Sequence, residues 1–258
     1  MERGLTPNKG GVEETRNPSV DAFVDCWEAD YRTVLTPGFL RNKMIQHQFP
    51  FRKLCITVNN VNNELEARRL ADNCVARGDA DEIIFVKDAL PEALALCGLA
   101  ERSLGPVRHF TDFLLVTVSA TDADFVFHCS SNVTLSRPFD WITEATQKLL
   151  SEKQLVVANP SWDEAGPAAE CILHEYPYYI GYGFSDQCFL VKRAVFAAPI
   201  YEYRHEASLR YPMAELGRIF EMRVDSFMRC NQLLRLTDER VFYIHPSTGG
   251  STHVRRTD

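Results

Sequence analysis

An acidic turn, an apolar strand and a small polar loop follow one another in the segment Asp122-Ala-Asp-Phe-Val-Phe-His-Cys-Ser-Ser-Asn-Val-Thr-Leu135. The run Phe125-Val-Phe127 is typical of a short strand buried within a sheet. In α/β proteins, ligands bind in the crevice beyond the carboxyl ends of the strands. The residues that directly follow this strand, Ser130, Ser131 and Asn132, are therefore candidate binding residues. A core strand followed by an ordinary surface turn would give the same pattern.

Strands and helices alternate in the part of the chain that precedes this segment. Three apolar runs, Asp21–Cys26, Leu54–Val58 and Glu82–Lys87, are predicted strands. Between the second and the third run, apolar residues recur at helical spacing, from an asparagine N-cap at Asn62-Asn63 to a terminating Gly78. This alternation favours parallel βαβ units. We therefore predict an α/β fold with a doubly wound, mostly parallel central sheet and helices on both faces.

The same periodicities predict the remaining elements of the chain. The predicted helices are Pro37–His47, Pro91–Leu99, Phe110–Ser119, Trp141–Leu149 and Met213–Leu234. The further predicted strands are Leu155–Ala158, Cys188–Val191 and Val241–Ile244. Residues 163–180 are predicted to form a loop-like insertion. We predict one folded domain over residues 20–246. Residues 1–19 and 247–258 are predicted to be flexible tails.

The composition is that of an ordinary globular protein. Of the 258 residues, 45% are hydrophobic and 24% are charged, and the formal net charge is -7. Because no long basic block occurs, we predict no nucleic-acid partner. No stretch approaches the roughly 18 apolar residues of a membrane-spanning helix, so we predict no integral membrane segment.

Eight cysteines are scattered through the chain, and none forms a Cys-x-x-Cys pair. The spacing therefore does not indicate a zinc site. Most of these cysteines lie in apolar runs, where a free thiol behaves as a small hydrophobic side chain. This usage fits a reducing compartment, and the N-terminal residues lack a signal-peptide core. We predict a cytoplasmic protein.

The strand Phe125–Cys129 with its polar end resembles the strand that carries the Asp-x-Asp motif in GT-A-fold, nucleotide-sugar-dependent glycosyltransferases of the family-2 type. The resemblance extends from Asp21 to His245, because the weak motifs of that family occur in the same order along this chain. It implies a GT-A-like, Rossmann-like fold. It also implies transfer of a sugar from a nucleotide-diphosphate-sugar donor to a hydroxyl-bearing acceptor.

The resemblance implies a nucleotide-donor half at residues 20–135, with a donor site at the ends of three predicted strands, and an acceptor half at residues 136–246. The implied donor-binding residues are Cys26, Trp27, Glu28, Asp30, Asn59, Asn60, His128, Ser130, Ser131 and Asn132. The implied acceptor-binding residues are Trp162, Tyr182 and Ser185. His128 is equally typical of a packed core histidine, since it lies within the strand itself. An oligomeric state is not indicated.

Transfer with inversion needs a carboxylate that takes the proton from the acceptor hydroxyl. The segment Phe220-Glu-Met-Arg-Val-Asp225 resembles the acidic helix start that supplies this base in inverting relatives. Glu221 is the first candidate for the catalytic base, and Asp186 and Asp225 are its rivals. Glu221 and Asp225 could equally form surface ion pairs along one helix, worth about 0.3–0.5 kcal/mol each.

Ser130 and Asn132 stand where the family places the two carboxylates that hold a divalent cation. Mn²⁺ or Mg²⁺ is the cofactor that the resemblance implies, but uncharged oxygens bind a hard cation weakly. We therefore predict no certain cofactor and no assigned metal ligand, with His245 the one doubtful candidate. Protein cations could replace the metal on the leaving diphosphate. The candidates are Lys192, Arg193, Arg204, Arg210, Arg235 and His245.

Two alternative functions remain open. A non-catalytic descendant could bind a sugar nucleotide or a glycan without turning it over. A nucleotidyltransferase has a similar sheet, but it should carry a glycine-rich basic loop after the first strand, and Cys26-Trp-Glu-Ala-Asp30 is not such a loop. No P-loop and no Gly-x-Gly-x-x-Gly motif occurs, which disfavours dinucleotide and phosphate-loop enzymes.

Overall fold

The computed structural model describes residues 18–162 and 170–245. The predicted C-terminal tail lies outside the described residues, as does the predicted N-terminal tail apart from its last two residues. Ser19 already belongs to the folded chain, because its backbone N–H and its hydroxyl both donate hydrogen bonds of 2.7 Å to Asp124 Oδ2.

The described residues form one mixed sheet with helices on both sides. The strands are β1 (Val20–Cys26), β2 (Lys53–Val58), β3 (Glu82–Phe85), β4 (Phe125–Cys129), β5 (Thr134–Leu135), β6 (Leu155–Ser161), β7 (Cys171–Glu175), β8 (Tyr178–Gly181), β9 (Cys188–Lys192) and β10 (Leu234–Ile244). The helices are α1 (Tyr31–Val34), α2 (Phe39–Met44), α3 (Glu64–Ala76), α4 (Val86–Leu96), α5 (Asp112–Ser119), α6 (Ile142–Ser151), α7 (Arg193–Phe196) and α8 (Phe220–Cys230). Short 3₁₀ turns connect several of them.

The strand order across the sheet is β3-β2-β1-β4-β9-β6-β10-β8-β7, with β5 paired to β10. The pairs β1–β2, β2–β3, β1–β4 and β6–β10 are parallel. β9 runs antiparallel to both β4 and β6. The chain winds outward from β1 to β3 and then returns to β4 on the other side of β1. Binding crevices in α/β sheets form at such a switch in strand order.

Two apolar layers cover the faces of this sheet, as the doubly wound prediction requires. Alternate residues of β4 belong to different layers, because successive side chains of a strand point to opposite faces of the sheet. Phe125, Phe127 and Cys129 pack against α1, α2, α3 and α6. Val126 packs against α4, α5, α7 and α8. The predicted fold class is confirmed.

The prediction of one helix over Met213–Leu234 is wrong in its extent. Helix α8 begins only at Phe220, because Ile219 is extended with ψ 167°. The helix ends at Cys230, Gln232 adopts a positive φ of 54°, and the chain then enters β10. β10 therefore begins at Leu234, seven residues before the predicted strand start at Val241. The apolar pattern predicted one continuous helix because β10 follows α8 almost without a connecting loop.

The prediction of a loop over residues 163–180 is also wrong for its second half. Residues 163–169 lie outside the described residues, but β7 and β8 form a hairpin at the edge of the sheet. A cis bond joins Tyr176 to Pro177 at the turn of this hairpin. The side chains of β7 are mostly exposed, so its sequence lacks the apolar run that predicts a strand. Strand β3 is shorter than predicted, because α4 begins at Val86.

The longest helix in the described residues, α3, has 13 residues. No described helix combines the length and the apolar character of a membrane span.

Candidate active site

A cavity of about 260 Å³ opens beyond the carboxyl ends of β1 and β4. We call it the switch-point cavity. Its walls come from the end of β1 (Asp25 and Trp27), the segment that follows β2 (Asn59 and Asn60), the turn before α5, the loop after β4 (Ser130, Ser131 and Asn132) and the residues before β9 (Asp186 and Gln187). The reversal of strand order between β1 and β4 creates the opening, because the connections from these two strands turn away in opposite directions.

The loop after β4 is fixed by contacts on every side. The backbone N–H of Ser130 donates to Gln187 O at 2.8 Å. The hydroxyl of Ser131 donates to Asp30 Oδ2. Below the loop, Lys43 Nζ donates to the backbone oxygens of Ser131 (3.0 Å) and Val133. A protein ammonium group therefore already lies under the place where the GT-A resemblance puts the metal motif.

Asn132 and His245 approach each other across the mouth of the switch-point cavity. Asn132 Nδ2 lies 3.1 Å from His245 Nε2, and both residues line the cavity. His245, a candidate cation in the sequence, therefore lies beside the loop after β4. His245 follows the last residue of β10, whose final residues pair with β5 directly after the loop.

The loop does not fit a divalent cation. It offers hydroxyl and amide oxygens but no carboxylate, and hard cations prefer charged oxygen ligands. Among residues 18–162 and 170–245, no group of three carboxylate, histidine or cysteine ligands gathers at this loop. The ammonium group of Lys43, which faces the same loop, further opposes a second cation.

The described residues do contain one compact group of metal-type ligands, His47, Cys129 and Cys188, on the other side of the loop backbone. All three are buried in the core. Trp141 Nε1 donates to His47 Nδ1 at 3.2 Å. An indole N–H is only a donor, so neutral His47 carries its proton on Nε2 and has no free lone pair for a metal.

The end of β1 contributes a carboxylate that the sequence reasoning missed. Asp25 lines the switch-point cavity, and its Oδ1 lies 3.2 Å from His128 Nε2 without the geometry of a hydrogen bond. His128 is fully buried and stacks on Phe189 at 5.0 Å between ring centroids. Asp25 could have been found as one of the two aspartates within the mostly apolar strand β1, at the end that faces the site. His128 lies within the core, as the alternative interpretation held.

The predicted donor-binding residues divide into those that face the cavity and those that support it. Trp27 is 55% exposed at the cavity wall, whereas the neighbouring Cys26 is fully buried and does not line it. Glu28 accepts the backbone N–H of Asn62 at 2.6 Å and so ties two strand ends together. Asn59 lines the cavity, and its side chain donates to His109 O at 3.1 Å.

A second cavity of about 440 Å³ adjoins the first. We call it the Arg235 cavity, and Trp162, Ser185, Arg210, Glu221 and Arg235 are among its lining residues. Gln187 and His245 line both cavities, so the two spaces meet at these residues. Trp162 and Ser185 were predicted acceptor-side residues. Tyr182, the third of that set, lies outside the lining and packs its ring against the Arg229 guanidinium at 4.8 Å.

Asp186 and Glu221 join the two cavities. The backbone N–H of Asp186 donates to Glu221 Oε1 at 3.2 Å. Asp186 lines the switch-point cavity, and Glu221, in the first turn of α8, lines the Arg235 cavity. Burial raises the pKa of Glu221 well above its ordinary range, and the nearby Asp186 raises it further. Burial also raises the pKa of Asp186. Glu221 forms no ion pair with any described residue.

Asp225 has a different environment one turn along α8. Its side chain is fully buried and accepts hydrogen bonds from Gly183 N (3.0 Å), Ser208 Oγ (2.6 Å), Arg210 Nη1 (2.7 Å) and Arg229 Nε (2.9 Å). Burial alone would raise its pKa, but the hydrogen bonds from Arg210 and Ser208 outweigh burial and lower it. A carboxylate with this many donors is held in its charged form and has no position left for a substrate proton.

The candidate cations also separate in space. Arg210 and Arg235 line the Arg235 cavity. Lys192 and Arg193 lie at the far end of β9, where Lys192 pairs with Phe125 at the start of β4, and therefore cannot reach either cavity. Tyr211 and Tyr243 also line the Arg235 cavity. The sequence analysis missed both, because nothing in their local sequence marks them as site residues.

No protein-family model matches this chain, and no curated protein matches it. Among solved structures, GalNAc-T7 with UDP, GalNAc and Mn²⁺ superposes on 90% of this chain with a TM-score of 0.55 and 10% sequence identity. The chain spans only 44% of the length of GalNAc-T7.

Two further similar structures have lower scores. Glucosyl-3-phosphoglycerate synthase from Mycobacterium tuberculosis, with Mn²⁺, UDP and glucosyl-3-phosphoglycerate, covers 88% of this chain and 72% of its own, at 15% identity and a TM-score of 0.45. S. aureus TarS covers 87% of this chain and 59% of its own, at 10% identity and a TM-score of 0.44. The fold of this chain is GT-A-like, as the resemblance predicted.

Proposed function

We propose that this protein transfers a sugar from a nucleotide-diphosphate-sugar donor to a hydroxyl group of an acceptor, with inversion and without a metal ion. The observation that carries the proposal is the meeting of two cavities at Gln187 and His245, with Glu221 in the wall of one and hydrogen-bonded to Asp186 in the wall of the other. The nucleotide diphosphate occupies the switch-point cavity, and the acceptor occupies the Arg235 cavity. Residues 20–135 form most of the donor half, and residues 136–246 form most of the acceptor half.

Glu221 is the proposed catalytic base. The acceptor oxygen forms a bond to the anomeric carbon of the sugar as the bond from that carbon to the diphosphate oxygen breaks. The proton of the acceptor hydroxyl passes to the Glu221 carboxylate, and the bonding electrons leave with the diphosphate. A raised pKa suits this role, since a base is most effective when its pKa lies near the working pH. Asp186 is a positioning residue, because its backbone N–H holds the Glu221 carboxylate.

The leaving diphosphate needs stabilisation that the loop after β4 provides without a cation. Side chains that already point into the cavity can donate hydrogen bonds to phosphate oxygens without reorganising, which favours the transition state. Asn132 and His245 are the proposed donors, and Ser130 contributes its hydroxyl. Trp27 offers an exposed aromatic face for the nucleoside base, with Asn59 beside it.

The proposal is tested with Glu221→Gln in the full-length protein. The assay measures nucleoside diphosphate release from uridine, guanosine, thymidine, cytidine and adenosine diphosphate sugars, in EDTA and in Mn²⁺. We expect turnover to fall by about 10²-fold or more because the base is lost, while nucleotide binding and the response to EDTA stay unchanged. Glu215→Gln, an exposed carboxylate six residues earlier, is the matched control and should retain full turnover. Full turnover of the Glu221→Gln variant would show that another group is the base.

The substituted loop favours a second candidate function, a non-catalytic protein that binds a sugar nucleotide or a glycan. Ser130 and Asn132 in place of carboxylates are the observation that supports it. A binding protein would show nucleotide-dependent stabilisation but no diphosphate release with any donor, even the slow hydrolysis that a transferase shows without acceptor. The same donor panel therefore separates the two functions.

We also propose a cytoplasmic location. All eight cysteines are free thiols, and six of them are buried. Free buried thiols are typical of proteins that fold in a reducing compartment.

A further inference from the structure

The Arg235 cavity contains a buried cation that the proposed transfer step does not use. Arg235 is only 3% exposed, although arginine is almost never buried unless it is paired. Its Nε donates to Thr237 Oγ1 at 3.0 Å, and its guanidinium lies 4.7 Å from the centre of the Trp162 ring. These contacts hold the side chain in one orientation, with the guanidinium at the cavity wall.

No described carboxylate neutralises Arg235. Glu170, an acidic side chain on the same wall, is bound by Arg210 Nε at 2.9 Å and by Arg229 Nη2. Asp225 is bound by the same two arginines. Glu221, the remaining carboxyl group of the wall, accepts the backbone N–H of Asp186 and forms no ion pair with Arg235. Within residues 18–162 and 170–245, no carboxylate therefore forms an ion pair with the Arg235 guanidinium.

The backbone leaves room for this cation. Gly183 has a φ of 94°, and a Cβ built on it would lie 2.8 Å from Arg235 Nη1 and 3.3 Å from Arg210 Nη2. Two guanidinium groups thus converge on one glycine at the cavity wall. Convergent, pre-oriented guanidinium forks match the geometry of carboxylate and phosphate oxygens.

We propose that Arg235, together with Arg210, binds a carboxylate or phosphate group carried by the acceptor substrate. We favour the acceptor over the leaving diphosphate as the source of this anion, because both arginines line the Arg235 cavity and neither lines the switch-point cavity. The bound anion replaces the missing counterion of Arg235 and places the acceptor hydroxyl beside Glu221. This inference rests on the proposed function for identifying the ligand as the acceptor. The binding of an anion by Arg235 does not depend on that function.

The first experiment measures thermal stability of the full-length protein against increasing inorganic phosphate at constant ionic strength. We expect wild type to be stabilised in a saturable manner, because phosphate binds only the folded state. Arg235→Met should weaken phosphate binding by about tenfold or more, since a hydrogen-bonded charge pair is lost. Without phosphate, Arg235→Met should melt at the same temperature as wild type or higher, because an unpaired buried charge has been removed.

Two variants control this result. Arg193→Met removes a half-buried arginine that forms no ion pair with any described residue and lies at the opposite end of β9, and it should respond to phosphate as wild type does. Arg235→Lys keeps the charge but loses the fork, so it should retain part of the response. If Arg235→Met does not fold, the comparison of phosphate binding by Arg235→Lys with that by wild type still tests the proposal. A phosphate response that is equal in wild type and in the Arg235 variants would overturn the proposal.

The second experiment separates the two sources of the anion. Nucleoside diphosphates of the five bases are titrated into wild type and Arg235→Met. Unchanged nucleotide affinity, with phosphate affinity lost, supports an acceptor-borne anion. Loss of nucleotide affinity in Arg235→Met assigns the arginine to the leaving diphosphate and contradicts the proposal. A phosphate response without any nucleotide response in wild type would support the anion site and reject the transferase function.

Discussion

Two carboxylates on α8 have opposite environments although only four residues separate them. Glu221 faces the Arg235 cavity and accepts one backbone N–H, whereas Asp225 accepts hydrogen bonds from two arginines, a serine and a glycine. Their pKa values move in opposite directions for this reason. The resemblance implied both as candidate bases, and their spacing equally predicted surface ion pairs. The sequence could not separate them, because three of the four donors to Asp225 (Gly183, Ser208 and Arg210) lie outside α8.

The raised pKa of Glu221 predicts a specific dependence of stability on pH. A carboxyl group that binds its proton more tightly in the folded state destabilises the fold as pH rises from its unfolded pKa of about 4.3. Glu221→Gln removes this loss, because glutamine does not ionise. We expect the difference in free energy of unfolding, Glu221→Gln minus wild type, to increase from pH 4 to pH 8, measured by urea denaturation. Glu215→Gln should show no such increase, and a difference that is constant with pH would contradict the assignment of the raised pKa.

At the scale of elements, Asp225 connects α8 to two segments that surround the Arg235 cavity. Through Ser208 and Arg210 it holds the 3₁₀ turn Glu206–Arg210, and through Gly183 it holds the turn after β8. Asp225→Asn removes the charge that both arginines pair with. We expect a loss of about 3–5 kcal/mol in the free energy of unfolding, the usual consequence of leaving buried partners uncompensated.

Urea denaturation at pH 7 measures this loss, with Asp72→Asn on the exposed face of α3 as the control. Because hydrogen bonds lower the pKa of Asp225, its contribution is present at neutral pH and is lost as pH falls through the folded pKa. The wild-type and Asp225→Asn stabilities should therefore converge in acid. Equal stability of the two proteins at pH 7 would mean that the network does not hold these segments.

Gly183 lies in the turn after β8, and Gly105 is a matched control for a test of crowding at Gly183. Both have a positive φ, 94° and 71°, but a Cβ on Gly105 would meet no atom within 4 Å. Alanine at either position adopts a disfavoured conformation that costs about 1–3 kcal/mol. Gly183→Ala should lose more stability than Gly105→Ala and should also weaken phosphate binding, because the new methyl group displaces the Arg235 guanidinium. Phosphate titration of both variants checks this, and an equal phosphate response would show that the guanidinium does not lie against Gly183 in solution.

At the scale of the whole molecule, the sequence predicted the parallel half of the sheet better than the mixed half. Strands β1, β2 and β4 are buried on both faces over most of their length, so each has a mostly apolar sequence that could be recognised directly. The edge strand β7 is exposed, and β10 contains a register shift between Asp238 and Phe242, so neither has a regular pattern. The loop after β4 was found because it follows a buried strand. The Arg235 cavity could not be predicted as a unit, because its wall comes from β10, α8 and several connecting segments that are distant in sequence.

The charge distribution around both cavities leads to a prediction about metal dependence. The loop after β4 has no carboxylate and rests on Lys43, and the next wall carries the unpaired Arg235. The loop after β4 thus offers a divalent ion no charged ligand, and we expect Asn132 and His245 to bind the diphosphate through hydrogen bonds instead. We expect one nucleotide series to stabilise the protein equally in EDTA and in Mn²⁺, by about 2.7 kcal/mol at a hundredfold excess over the dissociation constant.

A thermal-shift screen over the five nucleoside diphosphates and their sugars measures this stabilisation. Trp27→Ala should weaken the response through the loss of base stacking, worth about 1–3 kcal/mol. Replacing the exposed Leu65 by alanine on α3, away from both cavities, should leave the response unchanged. Stabilisation that requires Mn²⁺ would show that Ser130 and Asn132 hold a cation when the nucleotide supplies the remaining oxygen ligands. In that case Arg210 and Arg235 would bind the acceptor, and the cation would bind the diphosphate.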